Sequence, residues 1–212
     1  MNETGVRFRP WVGPDYEKGV RGKKIMILGH CHYCKDGSDG EEFTIKIIEG
    51  YIRWIQQGHP LERDEKGRIK DLWTRTYRAF AKAFLGYESD EDEVSMFWNR
   101  VLFYNYVQVS VPSADSKPTA EDYHQAEIGF RTVLAQYEPD IIFVWGNVYH
   151  KTPYNIGDGL EAYGGDINVD GINVPYWKYT LPSGKICEML KLHHPSQGFN
   201  WKDVHKIIQA VL

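Results

Sequence analysis

The segment Asp140-Ile141-Ile142-Phe143-Val144-Trp145-Gly146 decides the fold. Five apolar residues run between an acidic residue and a glycine, with Pro139 closing whatever precedes them. No helical or alternating period is present, and the run is too short for a helix that buries itself on all sides. It therefore predicts a strand covered on both faces, the kind found in parallel sheets flanked by helices. Lys24-Ile25-Met26-Ile27-Leu28, closed by Gly29, has the same character and predicts the first such strand. A second is predicted over 103–111, ended by Pro112.

Between and after these strands the period lengthens. Ile48, Tyr51, Ile52 and Ile55 recur at helical spacing, as do Ile69, Leu72, Trp73, Tyr77, Phe80 and Phe84, with a charged turn over 63–67 between the two sets. A short helix is predicted over 93–100. Pro118-Thr119-Ala120-Glu121-Asp122 opens another, since the Thr119 hydroxyl can accept from an early backbone N–H and Asp122 favours the positive helix end. Its inner stripe is Ala126, Phe130, Val133, Leu134 and Tyr137. From 164 to 192 short alternating pieces with turn signals at Asp170-Gly171 and Pro182-Ser183-Gly184 predict hairpins before a last strand, and a final helix follows over 202–212. The alternation predicts an α/β protein, a three-layer α/β/α arrangement with a short, mainly parallel central sheet, built as a single domain over 1–212.

Composition sets outer limits. Aromatics make up 14% of the 212 residues, enough for a sizeable core. No apolar run approaches the roughly 18 residues that span a bilayer, and Met1 leads into a polar stretch, so no membrane partner and a cytoplasmic location are expected. Three cysteines do not make a disulfide framework. A net charge of −4 provides no general attraction for phosphate backbones, so any nucleic-acid site must be local.

Ligands of open α/β sheets bind at the carboxyl ends of the strands. There this sequence collects its polar residues: His30-Cys31-His32-Tyr33-Cys34 after the first strand, Asn105 within the second, Asn147, Tyr149 and His150 after the third, and His193-His194 after the last. The wording and order of these segments resemble the uracil-DNA glycosylases. That family has a Gly-Gln-Asp-Pro-Tyr-His loop, an apolar strand bearing an asparagine, a strand ending in Trp-Gly-Ser, and a His-Pro-Ser loop. Here the counterparts are Gly29-His30-Cys31-His32-Tyr33-Cys34, Leu102-Phe103-Tyr104-Asn105, Val144-Trp145-Gly146-Asn147 and His194-Pro195-Ser196.

The resemblance implies a DNA-binding protein that receives a flipped base and cleaves its N-glycosidic bond, a hydrolase of DNA repair that needs no cofactor. Asn105 would bond the base edge, Tyr33 would wall the pocket, and Phe43 would stack on the base. His194 would stabilise the charge growing on the departing base. Ser196 and His193 would meet the nucleic acid, with Ser196 on a phosphate, and Phe199 would enter the stack in place of the extruded base. Cys31 and His32 stand in the catalytic loop where the family carries an aspartate and a proline. Cys31 offers no carboxylate, and Asp36, Asp39 or Glu41 are the nearby substitutes.

Other readings follow from the same residues. The fold could serve as a binding module for a nucleotide, DNA or RNA without cutting it. Cys31-x-x-Cys34 has the spacing of a thiol-disulfide pair, although Lys35 to Gly40 reads as loop rather than helix. His30, Cys31, His32, Cys34, Cys187 and His193 have metal-ligand chemistry without the spacing of a zinc site. Each residue also has an ordinary structural role open to it: Asn105 satisfying backbone groups, Tyr33, Trp145 and Phe199 packing, the histidines ending a strand.

Overall fold

The computed structural model describes residues 4–35, 37–57, 65, 72–87, 90–113, 115–146 and 162–212. Its strands are β1 (Trp11–Val12), β2 (Ile25–Gly29), β3 (His32–Tyr33), β4 (Val101–Asn105), β5 (Ser110–Val111), β6 (Ile141–Trp145), β7 (Ala162–Val169), β8 (Ile172–Thr180) and β9 (Ile186–Leu192). The helices are α1 (Phe43–Gln56), α2 (Leu72–Leu85), α3 (Glu91–Trp98), α4 (Ala120–Tyr137) and α5 (Trp201–Val211). Seven strands form one sheet in the order β1-β4-β2-β6-β9-β8-β7, and β3 pairs with β5 apart from it. The central four, β4-β2-β6-β9, are mutually parallel, and antiparallel strands are confined to the flanks. The fold is thus mixed α/β with a mainly parallel centre.

Alternation along the central strands builds two apolar layers. Ile25, Ile27, Val101, Phe103, Ile141, Phe143, Leu190 and Leu192 face one side, where they pack with α1, α2, α3 and α5. Met26, Leu28, Leu102, Tyr104, Ile142, Val144 and Met189 face the other, covered by Ala126, Phe130, Val133 and Leu134 of α4. Helices on both faces are what the uninterrupted apolar runs demand, since neither face can meet water. Among the described residues no helix is long and apolar enough to cross a membrane.

Local signals act as the sequence suggests at several joints. Thr119 Oγ1 accepts from the Asp122 N–H at 3.2 Å while the Asp122 carboxylate accepts from the Thr119 N–H at 2.7 Å, a reciprocal cap that starts α4. Asp170 and Gly171 both take positive φ, 49° and 83°, the backbone that a tight β7–β8 hairpin requires. The long strand expected over 103–111 is corrected: β4 stops at Asn105. Its parallel partner β2 ends at Gly29, so the ladder has nothing further to pair with. Tyr106 and Val107 instead donate to the carbonyls of Gly29 and His30, a turn that is buried but not extended.

The chain leaves β2, builds β4 on one side of it, and returns to build β6 on the other. This reversal opens a crevice at the carboxyl ends, where ligands bind in sheets of this kind. Ile69, the turn over 63–67 apart from Glu65, and Asn147, Tyr149 and His150 lie outside the described residues.

Candidate functional site

A cleft of about 1370 Å³ lies at that crevice. Gly29, Asn105, Gly146 and His194, from the ends of β2, β4, β6 and β9, all line it. Phe103, Trp145 and Leu192 give it an apolar base continuous with the core. Eight of the nine residues assigned to the site by sequence line it: Cys31, His32, Tyr33, Phe43, Asn105, His193, His194 and Ser196. Phe199 is the exception, half-buried against the core layer and outside the cleft lining.

Asn105 is held from three directions. A Cβ on Gly29 would lie 2.1 Å from its Oδ1, so the amide occupies space that only a glycine in β2 leaves open. Its Nδ2 lies 3.1 Å from His32 Nδ1 and 3.2 Å from His32 Nε2, and donates to whichever of the two carries no proton. Its backbone carbonyl accepts from Gln108 Nε2 at 2.6 Å, while Gln108 Oε1 accepts from the N–H groups of Arg7 and Phe8. The Asn105 Oδ1 accepts no hydrogen bond among the described residues, and the amide as a group carries both an acceptor and donors, the chemistry a nucleobase edge calls for.

His32 is the opposite case to what a catalytic position requires. It is 3% exposed, set edge-on between the rings of Phe8 and Phe43 at 4.9 and 5.0 Å. Nε2 lies 2.8 Å from Thr44 Oγ1, and both ring nitrogens lie within 3.2 Å of Asn105 Nδ2, so the ring's contacts to Thr44 and Asn105 engage both nitrogens in either tautomer. Burial pushes its pKa down to about 4, against the weaker upward pull of Asp39. The ring is neutral with both nitrogens occupied, and it orients Asn105.

Beside it, burial raises the Cys31 thiol to about 11, so Cys31 is neither a thiolate nor a substitute for a carboxylate. Neither Cys31, Cys34 nor Cys187 is in a disulfide. Cys187 is fully buried near the start of β9, at the far end of that strand from the cleft. Among the described residues no three His, Cys, Asp or Glu side chains come together as a metal site. The nearby carboxylates are spent elsewhere. Asp39 pairs with Arg7 at 2.9 Å and accepts from Ser110 at 2.5 Å, and the exposed Glu41 faces Arg9 at 3.9 Å. Asp36 lies outside the described residues.

The loop after β9 is built differently. Gly146, at φ +72°, ends β6 with its N–H on the Leu192 carbonyl, and a Cβ there would sit 3.0 Å from the His194 Cβ. The His194 ring stands edge-on to Trp145, centroids 6.1 Å apart. Its Nδ1 accepts from the Ser196 backbone N–H at 3.2 Å and from the Ser196 hydroxyl at 2.7 Å. A nitrogen that accepts from a backbone N–H carries no proton, so the neutral imidazole bears its hydrogen on Nε2. Burial, and secondarily the charge of His30, lower the His194 pKa and keep that form in place. Nε2–H has no hydrogen-bond partner among the described residues and is the group left to act. The Ser196 hydroxyl, at the cleft, thereby helps to orient the His194 ring. His193 is exposed at the rim.

His30 joins the cleft from β2. Its Nε2 lies 2.7 Å from Tyr123 Oη of α4, its Nδ1 3.5 Å from Cys31 Sγ, and burial lowers its pKa. Among the lining residues that sequence reasoning did not assign are Trp73, Arg75, Lys191 and Asp203. Helical spacing places Trp73 in the inner stripe of α2, yet it is 46% exposed at the cleft; Arg75, two residues on, is exposed beside it. Asp203 of α5 also lines the cleft, its carboxylate accepting from Asn200 Nδ2 at 2.6 Å as part of the helix cap. Helical spacing marked Trp73 but could not tell a ring facing the core from one facing a cavity. No family model matches the chain, and no curated protein matches it either.

Proposed function

We propose that this is a uracil-DNA glycosylase-like protein whose cleft receives a nucleobase flipped out of DNA. The observation that carries the proposal is the fixed tautomer of His194: a neutral imidazole, tied at Nδ1, with Nε2–H unpartnered among the described residues in a cleft that also holds the Asn105 amide. Asn105 offers a donor and an acceptor to the base edge. Phe43 and Tyr33 line the same space and supply ring faces. When an N-glycosidic bond breaks heterolytically, the base leaves with the electron pair and the sugar is left cationic, so a fixed donor toward the base lowers the barrier. His194 Nε2–H fills that role without itself needing to ionise.

The other half of the reaction, steadying the sugar cation and orienting water, has a neutral thiol at Cys31 where a carboxylate would serve. This favours a second reading of the same site, a module that retains an extruded base or nucleotide without cutting it. One experiment separates them. The protein is incubated with oligonucleotides bearing uracil, hypoxanthine or an alkylated base, and both free base and retained oligonucleotide are measured. Released base that is lost with Asn105→Ala and His194→Ala supports the enzyme; retention alone, lost with the same variants, supports the module. Neither release nor retention above that of an undamaged oligonucleotide refutes both.

A further inference from the structure

We propose that the cleft takes its base from an unpaired strand, with Trp73 as a stacking platform for a neighbouring base and Arg75 beside it for the backbone. The proposal rests on the base-binding reading above and names its substrate class. Trp73 is braced, not loose. Its ring stands edge-on to Tyr51 at 6.0 Å, with an interplanar angle of 80°, and edge-on to Trp54 at 6.5 Å. Nearly half of its surface remains open all the same. Exposing an indole to water has a free-energy cost, and a braced aromatic ring that stays open to solvent is what proteins use to stack bases irrespective of sequence. Tyr33, 55% exposed, lines the same cleft from the β3 side.

The cleft is also larger than one base requires, since about 1370 Å³ exceeds the range of an ordinary small-molecule site. It has room for neighbouring nucleotides. Arg75 makes no ion pair among the described residues, and the one carboxylate lining the cleft among them, Asp203, is engaged by Asn200. Among the described lining residues the balance therefore differs from the net charge of −4 over the whole chain, which gives a duplex no broad basic face to lie on. Extruding a base from a duplex further calls for a side chain that enters the stack. Phe199 is packed against the core rather than presented at the cleft. An unpaired base has no stack to replace.

The test is binding of the full chain to uracil-containing oligonucleotides of about 12 nucleotides, single-stranded DNA, single-stranded RNA and the matching DNA duplex, at one low salt concentration. Either single strand should bind about tenfold or more tightly than the duplex, and the tighter of the two identifies the sugar. Trp73→Ala should weaken single-strand binding by roughly tenfold, and Trp73→Phe, which keeps a ring face, should recover most of it. A thermal melt of each variant guards against misfolding. Duplex bound as tightly as the single strands, or single-strand affinity unmoved by Trp73→Ala, overturns the proposal. If instead no oligonucleotide and no free uracil binds at all, the base-binding reading itself fails.

Discussion

Two histidines at two strand ends of this molecule have the same chemistry and opposite situations. His32, after β2, is sealed between Phe8 and Phe43 with both ring nitrogens engaged by Asn105 and Thr44. His194, after β9, is tied at one nitrogen only, and among the described residues its other nitrogen at the cleft has no hydrogen-bond partner. Burial holds both neutral. The difference lies in how many nitrogens the fold consumes: a histidine with none left is scaffold, and one with a single N–H left is a directed donor. The loop after β2 therefore shapes the site, and the loop after β9 carries what chemistry it has.

The contrast can be broken at its strongest point first. His32 is depressed to about 4 from an ordinary 6.5, so the unfolded chain binds more protons than the folded one between those values. Its contribution to stability is complete above pH 6.5 and is lost as pH falls toward 4, by about 3 kcal/mol over the window. Denaturant melts at pH 7 and pH 4.5 should show wild type losing more stability than His32→Gln; equal losses would mean that His32 is not the sealed ring described. Next in size is Gly29→Ala, whose Cβ collides with Asn105 Oδ1. It should cost about 2 kcal/mol of stability and abolish uracil binding, both read in one ligand-shifted melt. A variant that binds normally would show that Asn105 is not held by this contact. Smallest is Ser196→Ala, which removes the hydroxyl on His194 Nδ1 but leaves the backbone N–H. Uracil affinity should fall by about fivefold, one neutral hydrogen bond, with the melting temperature unchanged.

Much of this frame was legible in the sequence, and the reasons are local. The uninterrupted run at 141–145 can exist only where both faces are covered, and Thr119 with Asp122 can only start a helix. The strand ends followed from those runs, and with them the meeting of Asn105 and His194 in one cleft. What was not legible depends on distances between elements. The end of β4 is set by where β2 stops, which no property of the 103–111 run contains. The burial of His32 needs Phe8, from a segment with no regular period, folded over it. Trp73 keeps helical spacing whether it faces core or cavity, and Phe199 reads the same as a wedge or as packing. The roles of Asn147, Tyr149 and His150 fall outside the described residues.

The most direct measurement of the central claim is the protonation pattern of the His194 imidazole, read by nitrogen NMR at pH 7 while uracil is titrated in. The account predicts a neutral ring with Nδ1 unprotonated and the proton on Nε2, and an Nε2 resonance that shifts to saturation as the base binds. A proton on Nδ1, or an Nε2 signal that saturating uracil leaves in place, would contradict it.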